Sequence, residues 1–340
     1  MRIIYIAPRY YPHIGGVEYV VKSVAERLVK MGYSVTVIAG EPSIGKSREE
    51  EVNGVEVIRW PTWSPGDAYH IPRQRNKLEK LLTDLDREAD LIHIHSVHAI
   101  LTVYSGLLIS NHINAKFVIT PHYHGSGHTI AREIAWTVWR RYVGKLLEMA
   151  DVVHVVSSRE SSLITKHYPE AKDKVVVIPN GVEEDVMNYK WQGQQSNYMV
   201  YAGRIEKYKR LELALQTAKK LGIKLLIIGQ GPYRKKLEKY IRNYYRDLAE
   251  LLEPQLRTKY LELLAGARYA INPSRHEAYS IFTAEALAIG TPAIITKEIA
   301  ENLNAETQYL NEQLVIALKA PIKTWIETMQ LYLKELYQES

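Results

Sequence analysis

Asn272-Pro273-Ser274-Arg275-His276-Glu277-Ala278-Tyr279-Ser280-Ile281-Phe282-Thr283-Ala284-Glu285-Ala286 is the most informative stretch of this chain. The apolar residues Ala270 and Ile271 run into it as a strand, and Gly290 with Pro292 stops the helix that leaves it. Glu277 and Glu285 stand eight positions apart, the first in the loop and the second more than a turn inside the helix. The helix N-terminus between them offers unpaired N–H groups and a positive dipole end, which suit an anion. A phosphate flanked by two carboxylates that accept from sugar hydroxyls describes a site for a nucleotide-linked sugar. A strand feeding a helix through such a loop is also the repeating unit of an α/β fold with a parallel sheet.

The same alternation extends in both directions. Residues 2–7, 34–39, 55–60, 91–95, 117–120, 152–157 and 175–178 read as strands, and 17–31, 75–88 and 131–149 as helices. Asn180-Gly181 is a turn signal and a polar segment follows it, after which the pattern restarts. Strands are then predicted at 198–202, 224–228, 269–272 and 293–296, and helices at 211–221, 233–242 and 282–289; residues 243–264 read mostly as helix, interrupted by Pro254. The prediction is an α/β protein of two doubly wound, parallel-sheet, Rossmann-like domains facing a cleft. Residues 1–185 form the first domain, 186–320 the second, and 321–340 an amphipathic terminal helix. Ligands in such sheets lie beyond the carboxyl ends of the strands, and the remaining motifs fall there.

Gly203-Arg204-Ile205-Glu206-Lys207-Tyr208-Lys209 follows the first strand of the second domain, so two cations share one strand-to-helix loop. Breaking a bond to a diphosphate builds negative charge on the leaving oxygen, and a well-placed donor lowers that barrier by about 3 kcal/mol. Leu225–Ile228 is an apolar strand ending in Gly229-Gln230-Gly231-Pro232, where glycine permits close backbone approach. In the first domain, Gly15-Gly16 opens a helix after a long loop, and Thr120-Pro121-His122 ends a strand. Gly15-Gly16 is no dinucleotide fingerprint, because Gly-x-Gly-x-x-Gly is absent. Glu41, at the end of the second strand, is then a coincidence of position.

Together these segments resemble glycosyltransferase family 4, the retaining group 1 glycosyltransferases of the GT-B fold. Glu277 and Glu285 match that family's Glu-x7-Glu motif, followed by Ala286, Ala288, Gly290 and Pro292. The resemblance implies a retaining transfer of sugar from a nucleotide donor, linked to uridine or guanosine diphosphate, without a metal or resident cofactor. It implies that Arg204 and Lys209 hold the diphosphate, aided by the amides near Ser280 and Ile281. It gives Glu285 the ribose hydroxyls, and Glu277 the donor sugar and the positive charge developing on its ring. His122 would position sugar or acceptor, and Gly15, Gly16 and Gly229 would line the donor. The acceptor would be a glycan, a lipid-linked sugar or a small molecule, and the terminal helix would cross back to the first domain. Two segments depart from the family: 243–262 lacks its Val-x-Phe-x-Gly strand, and Lys297-Glu298 stands where a Gly-Gly pair is usual. An epimerase of nucleotide sugars sharing the fold, and a non-catalytic protein binding nucleotide sugars or membranes, are the alternatives.

Bulk properties narrow the field further. The absence of cysteine removes disulfides, thiolate catalysis and zinc–thiolate sites. A net charge of +6 favours anionic partners, here a nucleotide or a membrane surface and not a nucleic acid. No apolar run approaches a membrane span and no leader is legible, so the expected location is the cytoplasm, with peripheral contact to the inner face of the cell membrane. That contact would come from the basic amphipathic helix 132–146, where Trp136, Trp139, Val143 and Leu146 form an apolar stripe beside Arg132, Arg140, Arg141 and Lys145. The same stripe equally suits core packing. His122, His124 and His128 lie within seven residues, but no carboxylate completes a metal set there. His93, His95 and His98 read as core or edge histidines.

Overall fold

The computed structural model describes the chain apart from residues 14, 66–68, 110–114, 126–129, 276 and 338–340, and the side chains of 130–135. Contacts divide the chain into two compact units. One holds Met1–Pro179 and the segment from Glu327 on; the other is Asn180–Ile326.

In the first unit the strands are β1 (Arg2–Ala7), β2 (Ser34–Glu41), β3 (Arg48–Val52), β4 (Val55–Trp63), β5 (Ile71–Pro72), β6 (Leu91–His95), β7 (Lys116–Thr120), β8 (Val152–Val155) and β9 (Val175–Val177). The main sheet runs β3-β4-β2-β1-β6-β7-β8-β9. All neighbours are parallel except β3 and β5, which each pair antiparallel with β4. Strands β1, β2 and β6 are buried almost throughout, the reason they read as unbroken apolar runs. The helices are α1 (Gly16–Lys30), α2 (Arg75–Asp86), α3 (Ile100–Ile109), α4 (Ile130–Met149) and α5 (Ser158–His167). The α1 helix buries Val20, Val21, Val24, Ala25 and Leu28, one stripe at helical spacing.

The second unit has β10 (Tyr198–Ala202), β11 (Lys224–Ile228), β12 (Ala249–Leu252), β13 (Tyr269–Asn272), β14 (Ala293–Ile295), β15 (Glu306–Tyr309) and β16 (Val315–Lys319). Its helices are α6 (Leu211–Leu221), α7 (Arg234–Tyr244), α8 (Arg257–Ala265), α9 (Ile281–Ile289) and α10 (Lys297–Leu303); α11 (Trp325–Leu331) starts at its end and continues into the first unit. The sheet order is β12-β11-β10-β13-β14-β16-β15. Its order reverses between β10 and β13, and a doubly wound sheet opens its ligand crevice at such a switch point. The first unit has the equivalent point between β1 and β6.

Three expectations change. Each sheet carries antiparallel edges, β3 and β5 in one and β15–β16 in the other. Residues 243–264 are not one helix: β12 pairs in parallel with β11 before α8 begins. Ala-Glu-Leu-Leu favours a helix in isolation, but the open edge of β11 captures it. By contacts the units divide at 179/180, six residues before the expected 185/186. Val182 exchanges backbone hydrogen bonds with Lys323 and Trp325 at 2.9 Å each, and Gly181 packs against the Trp325 backbone, so this short segment joins the second unit. From Glu327 the chain returns to the first unit, where Tyr332, Leu336 and Tyr337 are buried.

Candidate active site

The loops that follow β10 and β13 meet at the switch point of the second sheet. Asn272, the last residue of β13, shapes one of them. Its amide nitrogen donates to Ser280 Oγ at 2.9 Å, and its oxygen accepts from Ser274 Oγ at 2.5 Å. Ser280 also caps α9 by accepting from the Thr283 amide at 3.3 Å. The loop is thus tied at both ends, and Arg275 N donates to Tyr208 O at 3.2 Å, joining it to the turn Lys207–Lys209. His276 lies outside the described residues.

This frame brings Lys209 and Glu277 together as a hydrogen-bonded ion pair, both largely shielded from water. Lys209 Nζ also lies 4.8 Å from the centre of the Tyr208 ring. Burial alone would lower the lysine pKa, but the Glu277 charge outweighs it and holds the ammonium well above its usual range. A fixed, partly desolvated cation beside the N-terminus of α9 suits an oxyanion. Arg204 does not join this pair. Its guanidinium binds Glu206 at 2.8 Å and its side chain is 42% exposed.

Glu285, buried in α9, is already engaged. Arg257 Nη1 donates to Oε1 at 2.6 Å and Tyr260 OH to Oε2 at 2.5 Å. Arg257 also grips Asp185 through two bonds of 2.8 and 3.0 Å. Burial pushes the Glu285 carboxyl up despite Arg257, whereas the Arg257 hydrogen bonds pull Asp185 down. Both Glu285 carboxylate oxygens therefore hold a protein donor.

Gly229 meets a packing requirement. Its φ is +143°, and a Cβ there would strike the Gly203 carbonyl oxygen; one at Gly231 would strike Ile205. These glycines let the β11 loop pack closely on the β10 loop.

In the first unit, Gly15 precedes α1 and Gly16 is its first residue. The Glu18 carboxylate folds back over Gly15 and fills the space a Cβ would take. His122 is buried with φ +50°, a left-handed backbone. Such strain persists only where surroundings enforce it, and it concentrates at functional sites. Its Nε2 lies 3.3 Å from His95 Nδ1, and burial holds its pKa down at about 3. His124 stacks on His98 with centroids 4.3 Å apart, and His128 lies outside the described residues. Among the described residues no three His, Asp or Glu side chains gather as a metal site.

The α4 stripe turns inward. Val143 and Leu146 are in the core, Trp136 and Trp139 pack against it, and Trp139 Nε1 donates to Val97 O at 2.8 Å. The tryptophans are thus partly covered by the core. The outer face is Val138, Arg141, Tyr142 and Lys145; the Arg132 side chain lies outside the described ones. Among the described residues no helix is long and apolar enough to cross a membrane.

Residues 14–186 match the family described as Glycosyltransferase Family 4, and residues 187–326 the one described as Glycosyl transferases group 1. The chain is a family 4, group 1 glycosyltransferase. An uncharacterised glycosyltransferase of Methanocaldococcus jannaschii is 23% identical over 291 residues, covering 85% of this chain and 77% of the relative. A GDP-mannose-dependent α-mannosyltransferase of Mycolicibacterium smegmatis is 24% identical over 310 residues, covering 86% and 79%. Among solved structures, Anabaena HepE in complex with UDP superposes with a TM-score of 0.64 at 17% identity, covering 87% of this chain and 81% of HepE. The fold of this glycosyltransferase is GT-B.

Sequence reasoning missed Arg257, Tyr260 and Asp185 in the glycosyltransferase. Arg257 and Tyr260 stand three apart on one face of α8, with the guanidinium 5.5 Å from the ring centre. That spacing was the one signal available. It also missed Asn302, whose side chain donates to Glu277 O at 2.5 Å and braces the loop from α10.

Proposed function

We propose that this glycosyltransferase moves a sugar from a nucleoside diphosphate donor to an acceptor hydroxyl with retention of anomeric configuration and with no metal or resident cofactor. The observation that carries the reading is the shielded Lys209–Glu277 pair, with Glu277 in the loop that leads into α9. Lys209 takes the negative charge that grows on the departing diphosphate, assisted by Arg204 and the amides of Ser280 and Ile281. Glu277, released from Lys209 as the diphosphate binds, faces the sugar and stabilises the positive charge on its ring. Glu285 accepts from the ribose, with Arg257 and Tyr260 holding its rotamer. In the first unit, Gly15 and Gly16 leave the backbone of the β1–α1 loop open to a ligand once Glu18 swings aside, and His122 in its neutral form positions sugar or acceptor. Gly229 supports the donor loop through its packing on Gly203.

The base is uridine or guanosine, as in the UDP complex of HepE and the GDP-mannose-dependent mycobacterial relative. The acceptor is a glycan, a lipid-linked sugar or a small molecule. The test is incubation with UDP- and GDP-sugars and a glycoside panel in the presence of EDTA. The proposal predicts a product whose anomeric proton coupling matches the donor's; an inverted product, or transfer abolished by EDTA, contradicts it. A cytoplasmic place at the inner membrane face accompanies this reading, supported by the exposed Val138, Arg141, Tyr142 and Lys145. Co-sedimentation with phosphatidylserine vesicles, reduced by Tyr142→Glu, is expected; equal recovery of both forms contradicts it.

A further inference from the structure

The first unit contains a cavity of ≈ 670 Å³ that none of these roles uses. Its wall includes Arg9, His13, Glu41, Arg48, Glu50 and Arg59. It opens at the carboxyl ends of β1 and β2, beside the loop that leads to Gly15, which is where this fold receives ligands. A space of this size accommodates a mono- or disaccharide.

The wall is built rather than accidental. Arg59 is buried and fully committed: Nε donates to Glu50 at 2.7 Å, Nη1 to Tyr10 O at 3.1 Å, and Nη2 to Tyr11 O. It ties the β1–α1 loop to β4 and fixes the floor. His13 Nε2 meets Glu41 at 2.8 Å, and Arg9 Nη1, a donor only, meets His13 Nδ1 at 3.1 Å, which places the ring proton on Nε2. Burial alone would raise the Glu41 carboxyl, but hydrogen bonds from His13 and Ser43 outweigh it and hold it at about 2. The acid that looked coincidental in sequence therefore fixes the rim.

Charge decides what the cavity takes. In the antiparallel β3–β4 pair, Arg48 stands directly opposite Arg59. Like charges facing each other across strands destabilise a sheet. Glu50 binds both, with Arg48 Nη2 at 2.8 Å, yet Arg9 adds a third guanidinium against the two carboxylates. Arg9 lies 3.9 Å from Glu41, so three guanidiniums face two carboxylates, and Arg48, 60% exposed and paired to Glu50 through Nη2, is the most accessible of the three. Alternation along β3 keeps Glu49 and Glu51 on the opposite face.

We propose that this cavity binds the acceptor, and that the acceptor is a sugar bearing an oxyanion, a carboxylate or a phosphate monoester, read by Arg48 with Arg9 behind it. As an acceptor assignment this rests on the glycosyltransferase reading above; as a binding site it stands on the cavity alone. The experiment follows the full chain by calorimetric titration with glucose, glucuronate and glucose 6-phosphate at fixed ionic strength, with no donor present. The expected result is binding of one or both charged sugars at least about tenfold tighter than glucose, the scale of one charge-assisted hydrogen bond. Which one binds tells carboxylate from phosphate. Arg48→Gln, at an exposed position that does not endanger folding, is expected to erase that preference, while Glu49→Gln on the other face of β3 keeps it. Equal binding of all three sugars, no binding, or a preference unchanged by Arg48→Gln overturns the proposal. Stabilisation by UDP or GDP, recorded separately, reports on the donor reading, so the two fail independently.

Discussion

At the scale of single residues, the site consists of carboxylates held by cations. Lys209 and Glu277, in loops at strand ends, were singled out through a family resemblance, and the fold brings their side chains together. Arg257 was not legible: it lies 28 positions from Glu285, and only the fold brings α8 against α9. Removing it would leave a buried carboxylate without its charge partner. For a fully buried pair that costs about 3–5 kcal/mol. Arg257 is itself about a third exposed, so Arg257→Met is expected to cost about 2 kcal/mol after allowance for solvent screening. Chemical denaturation checks this, and adding Glu285→Gln should recover most of the loss, because Tyr260 can still donate to the amide oxygen. A double variant no more stable than Arg257→Met would mean the pair is not coupled.

At the scale of elements, strands buried on both faces and helices with one apolar stripe were readable from periodicity alone. Strands β10, β11 and β13 begin and end where the pattern placed them. Short or charged edges were not: β3 reads Arg-Glu-Glu-Glu-Val, and β12 has four residues of helical preference. Their pairing partners, not their own side chains, make them strands. The α4 tryptophans show the same limit, since a stripe does not say whether core or lipid covers it. The glycine turn after β11 is an element-scale feature too. Gly229→Ala is expected to destabilise the protein by about 2–3 kcal/mol, from a left-handed φ and a clash with the Gly203 carbonyl. A thermal melt checks it; an unchanged midpoint would show that the two loops yield without cost.

At the scale of the whole molecule, the chain from Glu327 on closes the first unit over a buried polar cluster. Tyr337 OH bonds Tyr5 OH and lies 3.0 Å from His93 Nδ1; Thr120 Oγ1 lies 2.7 Å from both His93 Nε2 and His154 Nδ1. His93, His95, His122 and His154 are all buried, and burial depresses each pKa, to about 4 for His154 and about 3 for His122. Unfolded histidines titrate near 6.5, so below that pH the unfolded chain binds protons the folded one refuses. Stability is therefore complete above about 6.5 and falls as pH falls through the depressed values, by up to about 1.4 kcal/mol per pH unit for each histidine. Denaturant midpoints between pH 7 and 4.5 should drop steeply, and His154→Asn should flatten the slope; a pH-independent midpoint would contradict the neutral cluster.

In the proposed reaction Lys209 and Glu277 act on the bond between sugar and diphosphate. The most direct measurement is the turnover of the accepted nucleotide sugar by Lys209→Met and Glu277→Gln, each with its thermal midpoint recorded. Both variants are expected to fold, and each to lose about 10²–10³ in kcat, the scale of one preorganised charge contact. Folded variants that transfer sugar at the parent rate would contradict it.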